Sequence, residues 1–150
     1  MGRRLLGLTL VVSLVVAASL AYRVRKAKPM FLPSADAVRF IETWRWGRSD
    51  RRFSSRLAQA PGLLWIIVTG NRLRVSPHFP FSLAFVAEVF GWDHDLPGKS
   101  IVNVQVDPSA GATALVSIQY RHLTGEVEIL ELAVGDRQAF LAALAQIRGQ

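Results

Sequence analysis

The sequence predicts an α+β, mainly β domain: a small antiparallel bent sheet or partial barrel closed by a C-terminal amphipathic helix and preceded by one transmembrane helix. Three observations predict it. Residues Leu5 to Tyr22 (LLGLTLVVSLVVAASLAY) carry no charge and are almost wholly apolar. From Gly62 onward, short runs of apolar and β-branched residues are separated by Gly, Pro, Asn and Asp turn signals. After Gly135-Asp136, the residues Phe140, Leu141, Leu144 and Ile147 fall on one helical face.

As a helix, the first eighteen-residue run reaches about 27 Å, enough to cross a hydrocarbon core of roughly that thickness. Arg3 and Arg4 precede it, and Arg23, Arg25, Lys26 and Lys28 follow it. The competing reading is an exported protein with a cleaved signal peptide, because Ser19-Leu20-Ala21 places small residues where a signal peptidase acts. Cations directly after an apolar helix resist export, and the more basic short flank stays in the cytoplasm. The sequence therefore favours an uncleaved single-pass anchor in the cell membrane, with the C-terminal domain cytoplasmic. The Arg3-Arg4 pair lacks most of a twin-arginine export motif and reads as an ordinary charged flank.

Charge divides the chain at Leu57. Residues 1–56 hold twelve Lys or Arg against three acids, a net +9, whereas residues 57–150 hold six against eight, a net −2. The basic charge thus lies beside the apolar run and not on the folded domain, which makes anionic lipid the expected partner and excludes nucleic acid. Each cation near such a surface contributes on the order of 1 kcal/mol. Fifteen Arg against three Lys fit a GC-rich bacterial genome. There is no cysteine, so disulfides, thiolate metal sites and cysteine nucleophiles are excluded.

Three zones follow: an anchor over 1–22, a basic juxtamembrane segment over 23–56, and a domain over 57–150 long enough for one core. In the middle zone Pro29 and Pro33 keep the chain extended, and Ser34 can cap a short amphipathic helix carrying Ala37, Phe40, Ile41 and Trp44. Gly47 would stop it. Its apolar stripe is expected to pack on the C-terminal domain, with contact to lipid through Trp44 and Trp46 as the alternative. Arg48, Arg51 and Arg52 follow in a serine-containing run that reads as a solvated linker or a further lipid contact.

In the third zone, Leu63 to Thr69 is a continuous apolar run rich in β-branched residues, answered, after Gly70-Asn71, by Leu73 and Val75 alternating with Arg72 and Arg74. That is the pattern of a hairpin with a two-residue turn. Pro77 and Pro80 interrupt pairing, since neither can donate a ladder hydrogen bond. Leu83 to Phe90 fits strand or helix, and Asp93 to Gly98 reads as a loop. Val102, Val104 and Val106 alternate with Asn103 and Gln105, which predicts a strand over 101–106. Asp107 to Gly111 is a turn, Leu115 to Tyr120 a strand, Thr124-Gly125 a turn and Glu126 to Ala133 a strand. Gly135-Asp136 opens the last helix, which runs to about Arg148.

The LLWIIVTGNRLRVSP hairpin, the GWDHDLPGKSIVNVQV stretch and the final DRQAFLAALAQI helix together resemble the pleckstrin-homology-like domains of bacterial membrane proteins. The resemblance covers roughly the last ninety residues and rests on the order of elements. It implies a stable scaffold that offers surfaces to proteins or lipids. In members that bind phosphoinositides, the first hairpin loop is typically longer and carries several Lys and Arg that hold the phosphates. Here that first loop is only Gly70-Asn71, with Arg72 and Arg74 just beyond it.

Catalytic signatures are lacking: no GxSxG elbow, Walker loop, GxGxxG or HExxH occurs. The densest polar cluster is Asp93-His94-Asp95, with Glu88, His78 and His122 as distant partners. Three consecutive residues seldom converge on one ion, so a polar turn is the favoured reading over a metal or catalytic site. No cofactor is expected. Pro77 to Phe81 either presents Phe79 and Phe81 as a docking loop or, as is commoner for large apolar side chains, plugs the sheet.

The expected function is a membrane-anchored, non-catalytic binding or scaffolding module whose Arg23, Arg25, Lys26 and Lys28 contact anionic lipid, with Arg48, Arg51 and Arg52 as weaker contacts. The alternatives are a sensor of a lipid or phosphate ligand through Arg72 and Arg74, and an exported protein with a cleaved signal peptide. The partner and the oligomeric state are not written in the sequence.

Overall fold

A computed structural model of the chain describes residues 2–25, 38–50, 60–78, 91–107 and 114–149. The first element is helix α1, Gly2–Arg25, 24 residues long and containing the whole uncharged run. The side chains of Leu5, Leu6, Leu8, Val11 and Val12 lie outside the described residues. Among the described residues no helix is long and apolar enough to cross a membrane, so the spanning expectation rests on the sequence alone.

Seven strands follow: β1 (Val38–Ser49), β2 (Ala60–Thr69), β3 (Arg72–Pro77), β4 (His94–Pro97), β5 (Ile101–Asp107), β6 (Ala114–Arg121) and β7 (Val127–Val134), and then helix α2 (Arg137–Arg148). Among the described residues they form one sheet in the order β4-β3-β2-β1-β7-β6-β5, antiparallel at every paired neighbour. A short 3-10 turn, Gly98–Ser100, joins the two edge strands β4 and β5.

β1 corrects the expected amphipathic helix over 34–46. Ala37, Phe40, Ile41 and Trp44 carry helical spacing, but the segment from Val38 pairs with both β2 and β7 and joins the two halves of the sheet. The strand is irregular. Arg39 is an extra residue between the Val38–Thr69 and Phe40–Val68 pairs, and Thr43 and Trp44 together stand against Trp65 alone. At that bulge Trp44 has φ 59°, a left-handed backbone that a large residue adopts at a cost of about 1–2 kcal/mol. Gly47, buried where β1 passes from β2 to β7, leaves no room for a Cβ, which would stand 2.6 Å from the Leu64 side chain and 3.2 Å from the Glu131 carbonyl.

The hairpin of β2 and β3 is as expected, with Leu73 and Val75 facing inward. The Asp93 to Gly98 loop is not. Four of its residues form β4, paired with β3 from Val75–His94 to Arg72–Pro97. β5 also departs from simple alternation: a bulge at Val102 turns that residue outward, 47% exposed, while Ile101 is buried and Val104 and Val106 pack partly on the core. β6 and β7 keep strict alternation, burying Val116, Ile118 and Tyr120 on one strand and Leu130, Leu132 and Val134 on the other.

α2 packs against β1, β2 and the 3-10 turn. Asp136 caps its N-terminus by accepting from the Ala139 amide at 2.9 Å. Phe140, Ala143, Leu144 and Ile147 are its buried face, and Phe140 meets Phe40 of β1 with ring centroids 5.1 Å apart. Leu141, expected on that face, is only half-buried, because the true stripe runs through Ala143 instead. The core draws on Phe40 as well as on residues after 57, so the sheet extends across the expected domain boundary.

Candidate functional site

The residues expected to act fall into three places. Arg25 is exposed at the end of α1, and Arg23 lies in the same helix, its side chain outside the described residues. Lys26, Lys28, Arg51, Arg52, Phe79 and Phe81 are likewise outside the described residues. Arg48 projects from β1 and is held by Glu131 of β7, with Nε and Nη2 each 2.8 Å from Oε2. That ion pair ties two strands of one sheet. Arg48 is thus a strand residue and not part of a solvated linker.

Arg72 and Arg74 stand two residues apart on β3, so both side chains project from the same outer face of the sheet. Asp95 of β4 lies opposite Arg74 and binds both: Arg72 Nε to Oδ1 at 2.7 Å and Arg74 Nη2 to Oδ2 at 3.3 Å. A carboxylate bridging two guanidinium groups competes directly with any phosphate that would use them. The three charges leave a net +1.

The Asp93-His94-Asp95 cluster is pulled apart by the strand. His94 and Asp95 point to opposite faces of β4, and His94 is buried at 1% exposure. Its Nδ1 lies 3.1 Å from the hydroxyl of Tyr120 on β6, and that hydroxyl donates to the Glu128 carboxylate on β7. The result is a polar chain through the core from β4 to β7. Among the described residues no group of three or more His, Asp or Glu could hold a metal ion.

Sequence reasoning also missed an aromatic cluster. Trp44 stacks on His78, with centroids 4.3 Å apart and planes at 21°, and Trp65 meets the same imidazole edge-on at 4.6 Å. Trp44 is 57% exposed. The signal for this cluster lies in strand pairing, since Trp65 and His78 become neighbours only after β2 and β3 close their hairpin.

The topology changes how the resemblance applies. The hairpin around Gly70-Asn71 is the second of the sheet, joining β2 to β3, because β1 precedes it. The first hairpin is β1–β2, and the ten residues that connect its strands include Arg51, Arg52 and Arg56.

No family model matches the chain, and no curated protein matches it. Among solved structures, the chain is similar to the Vps36 N-terminal PH domain, with a TM-score of 0.48 and 11% sequence identity over 79% of this chain and 81% of that chain.

Proposed function

We propose that this chain is a membrane-anchored, non-catalytic binding module of pleckstrin-homology-like build, whose basic collar meets anionic lipid. The observation that carries the reading is the uncharged run Leu5 to Tyr22 inside one 24-residue helix, followed at once by Arg23, Arg25, Lys26 and Lys28. The order β4-β3-β2-β1-β7-β6-β5 with a closing C-terminal helix supports the pleckstrin-homology-like build. Orientation follows from the collar: four cations after the run against two before it favour a cytoplasmic sheet domain. The β6–β7 turn and outer β7 expose Leu123, Val127 and Ile129, a surface suited to a protein partner.

Alkaline extraction of zwitterionic vesicles tests the anchor. The full chain stays with the vesicles and residues 29–150 do not. Release of the full chain, or equal retention of both, contradicts the reading.

A sensor of phosphate-bearing headgroups is the second reading, favoured by Arg51, Arg52 and Arg56 in the β1–β2 connection. Arg72 and Arg74 support it less, being bridged by Asp95. Under this reading, replacing Arg51, Arg52 and Arg56 by Gln removes headgroup-specific binding, while R72Q/R74Q leaves it. The reverse outcome would return the site to β3.

A further inference from the structure

Residues 57–150 are net acidic, yet the fold sorts their charge by position. Val38 pairs with Thr69, so β1 begins beside the Gly70-Asn71 turn. The Gly98 amide donates to the Asn71 carbonyl at 2.9 Å, bringing the β4–β5 turn to the same end. Gly98 packs on the backbone of Ile147, and Arg39 donates to the Gln146 side chain, which adds the C-terminus of α2. Four segments distant in sequence therefore meet at one end of the sheet.

Those segments and the adjoining strands bring Arg39, Arg72, Arg74, Lys99 and Arg148 together. Arg39, Lys99 and Arg148 are exposed, and Arg148 donates to the Val102 carbonyl at 3.2 Å. Among the described residues of this end the carboxylate is Asp95, already shared by Arg72 and Arg74. The C-terminal dipole of α2, worth about half a negative charge, offsets a further part, and a net of roughly three to four positive charges remains. Acids collect elsewhere. Glu42 accepts from the Gly135 and Asp136 amides at the far end of α2, and Asp136 caps that helix.

We infer that this end of the sheet domain, built from Arg39, Arg72, Arg74, Lys99 and Arg148, is a second contact surface for anionic lipid, separate from the collar. The inference rests on the anchored reading above. What selects lipid as the occupant is where the chain arrives. β1 is the first strand after α1, and the connection from Arg25 to Val38 spans at most about 45 Å when fully extended. The cations surrounding its arrival point are thus held near the bilayer that the anchor occupies. Each uncompensated charge among them strengthens association with an anionic surface about fivefold. The cluster lies at the end defined by the β2–β3 turn, away from the β1–β2 connection that carries Arg51, Arg52 and Arg56. It therefore adds a lipid contact without using the site of the sensor reading.

The chain has no cysteine, so a single introduced one is a unique label site. Full-length N71C, in the β2–β3 turn of this end, and Q138C, in the first turn of α2 at the far end, are labelled with a fluorophore and placed in nanodiscs carrying a headgroup quencher. In discs containing phosphatidylglycerol, quenching at 71 exceeds that at 138 at least about twofold, because the first label is held at the headgroups while the second lies a helix length, about 18 Å, farther away. The excess disappears in phosphatidylcholine discs, at high salt, and in R39E/K99E with an unchanged melting temperature. Equal quenching at the two sites, or an excess indifferent to lipid charge, overturns the inference even if that double variant misfolds. Failure of the wild-type chain to enter the discs overturns the anchored reading, and this one with it.

Discussion

Gly98 lies so close to Ile147 that a Cβ on Gly98 would stand 1.9 Å from the Ile147 carbonyl oxygen and 2.5 Å from its carbonyl carbon. These are backbone atoms, which cannot swing aside. The contact seats the end of α2 on the turn between the two edge strands. Gly98→Ala should therefore cost about 2–4 kcal/mol, through overpacking that lifts the helix. For a domain of this size that lowers the melting temperature by roughly 10–20 °C, readable by circular dichroism. An unchanged midpoint would mean that α2 does not close the sheet at this corner.

The Tyr120 hydroxyl links His94 to Glu128 within the sheet interior. Tyr120→Phe keeps the ring volume and removes the hydroxyl, so the two flanking groups lose a shared partner. The expected cost is about 1–3 kcal/mol, measured by urea unfolding with an unchanged m-value. Stability equal to wild type would show that the chain of hydrogen bonds contributes nothing net.

Fragments test where the folded unit begins. β1 supplies Phe40 to the core and joins β2 to β7. A chain of residues 57–150 lacks that bridge and should fail to unfold cooperatively, whereas residues 38–150 should melt as one unit. Cooperative unfolding of the shorter fragment would restore the boundary at Leu57.

This boundary shows what was and was not legible in the sequence. β2 was readable as a continuous apolar run rich in β-branched residues, β3 and β6 from their alternation, and β7 from the Thr124-Gly125 turn before it. β1 was not, because the extra residues at Arg39 and at Thr43-Trp44 reset its period and leave Phe40, Ile41 and Trp44 at helical spacing. β4 read as a loop since it is four residues long, polar at two of them, and ends at Pro97. At Val102 a bulge again breaks a pattern that looked regular. The candidate site suffered most from the missing first strand. It misassigned which hairpin comes first, and the pairing of Asp95 with two arginines depends on a strand that the sequence did not announce.

Asp95 is 41% exposed at its side chain, as is Arg72, so their ion pair should add little to stability. Asp95→Asn is expected to shift the melting temperature by no more than a few degrees. Freed of the carboxylate, Arg72 and Arg74 should strengthen association with anionic vesicles by about fivefold in flotation. No change in flotation would place this end of the sheet away from lipid.

Arg48→Gln breaks the ion pair with Glu131 on a partly exposed face and should cost at most about 1 kcal/mol. Because the side chain is committed to β7, lipid association should be unaltered. A marked loss of vesicle binding would return Arg48 to the lipid-contacting set.

The anchor holds every other lipid contact at the bilayer, and cells offer its sharpest test. A topology reporter fused after Gln150 is combined with intact-mass measurement of the chain recovered from alkaline-washed membranes. A cytoplasmic reporter signal and an N-terminus that retains Leu5 to Tyr22 are expected. A periplasmic signal, with a chain shortened by cleavage after Ala21, would contradict the anchor.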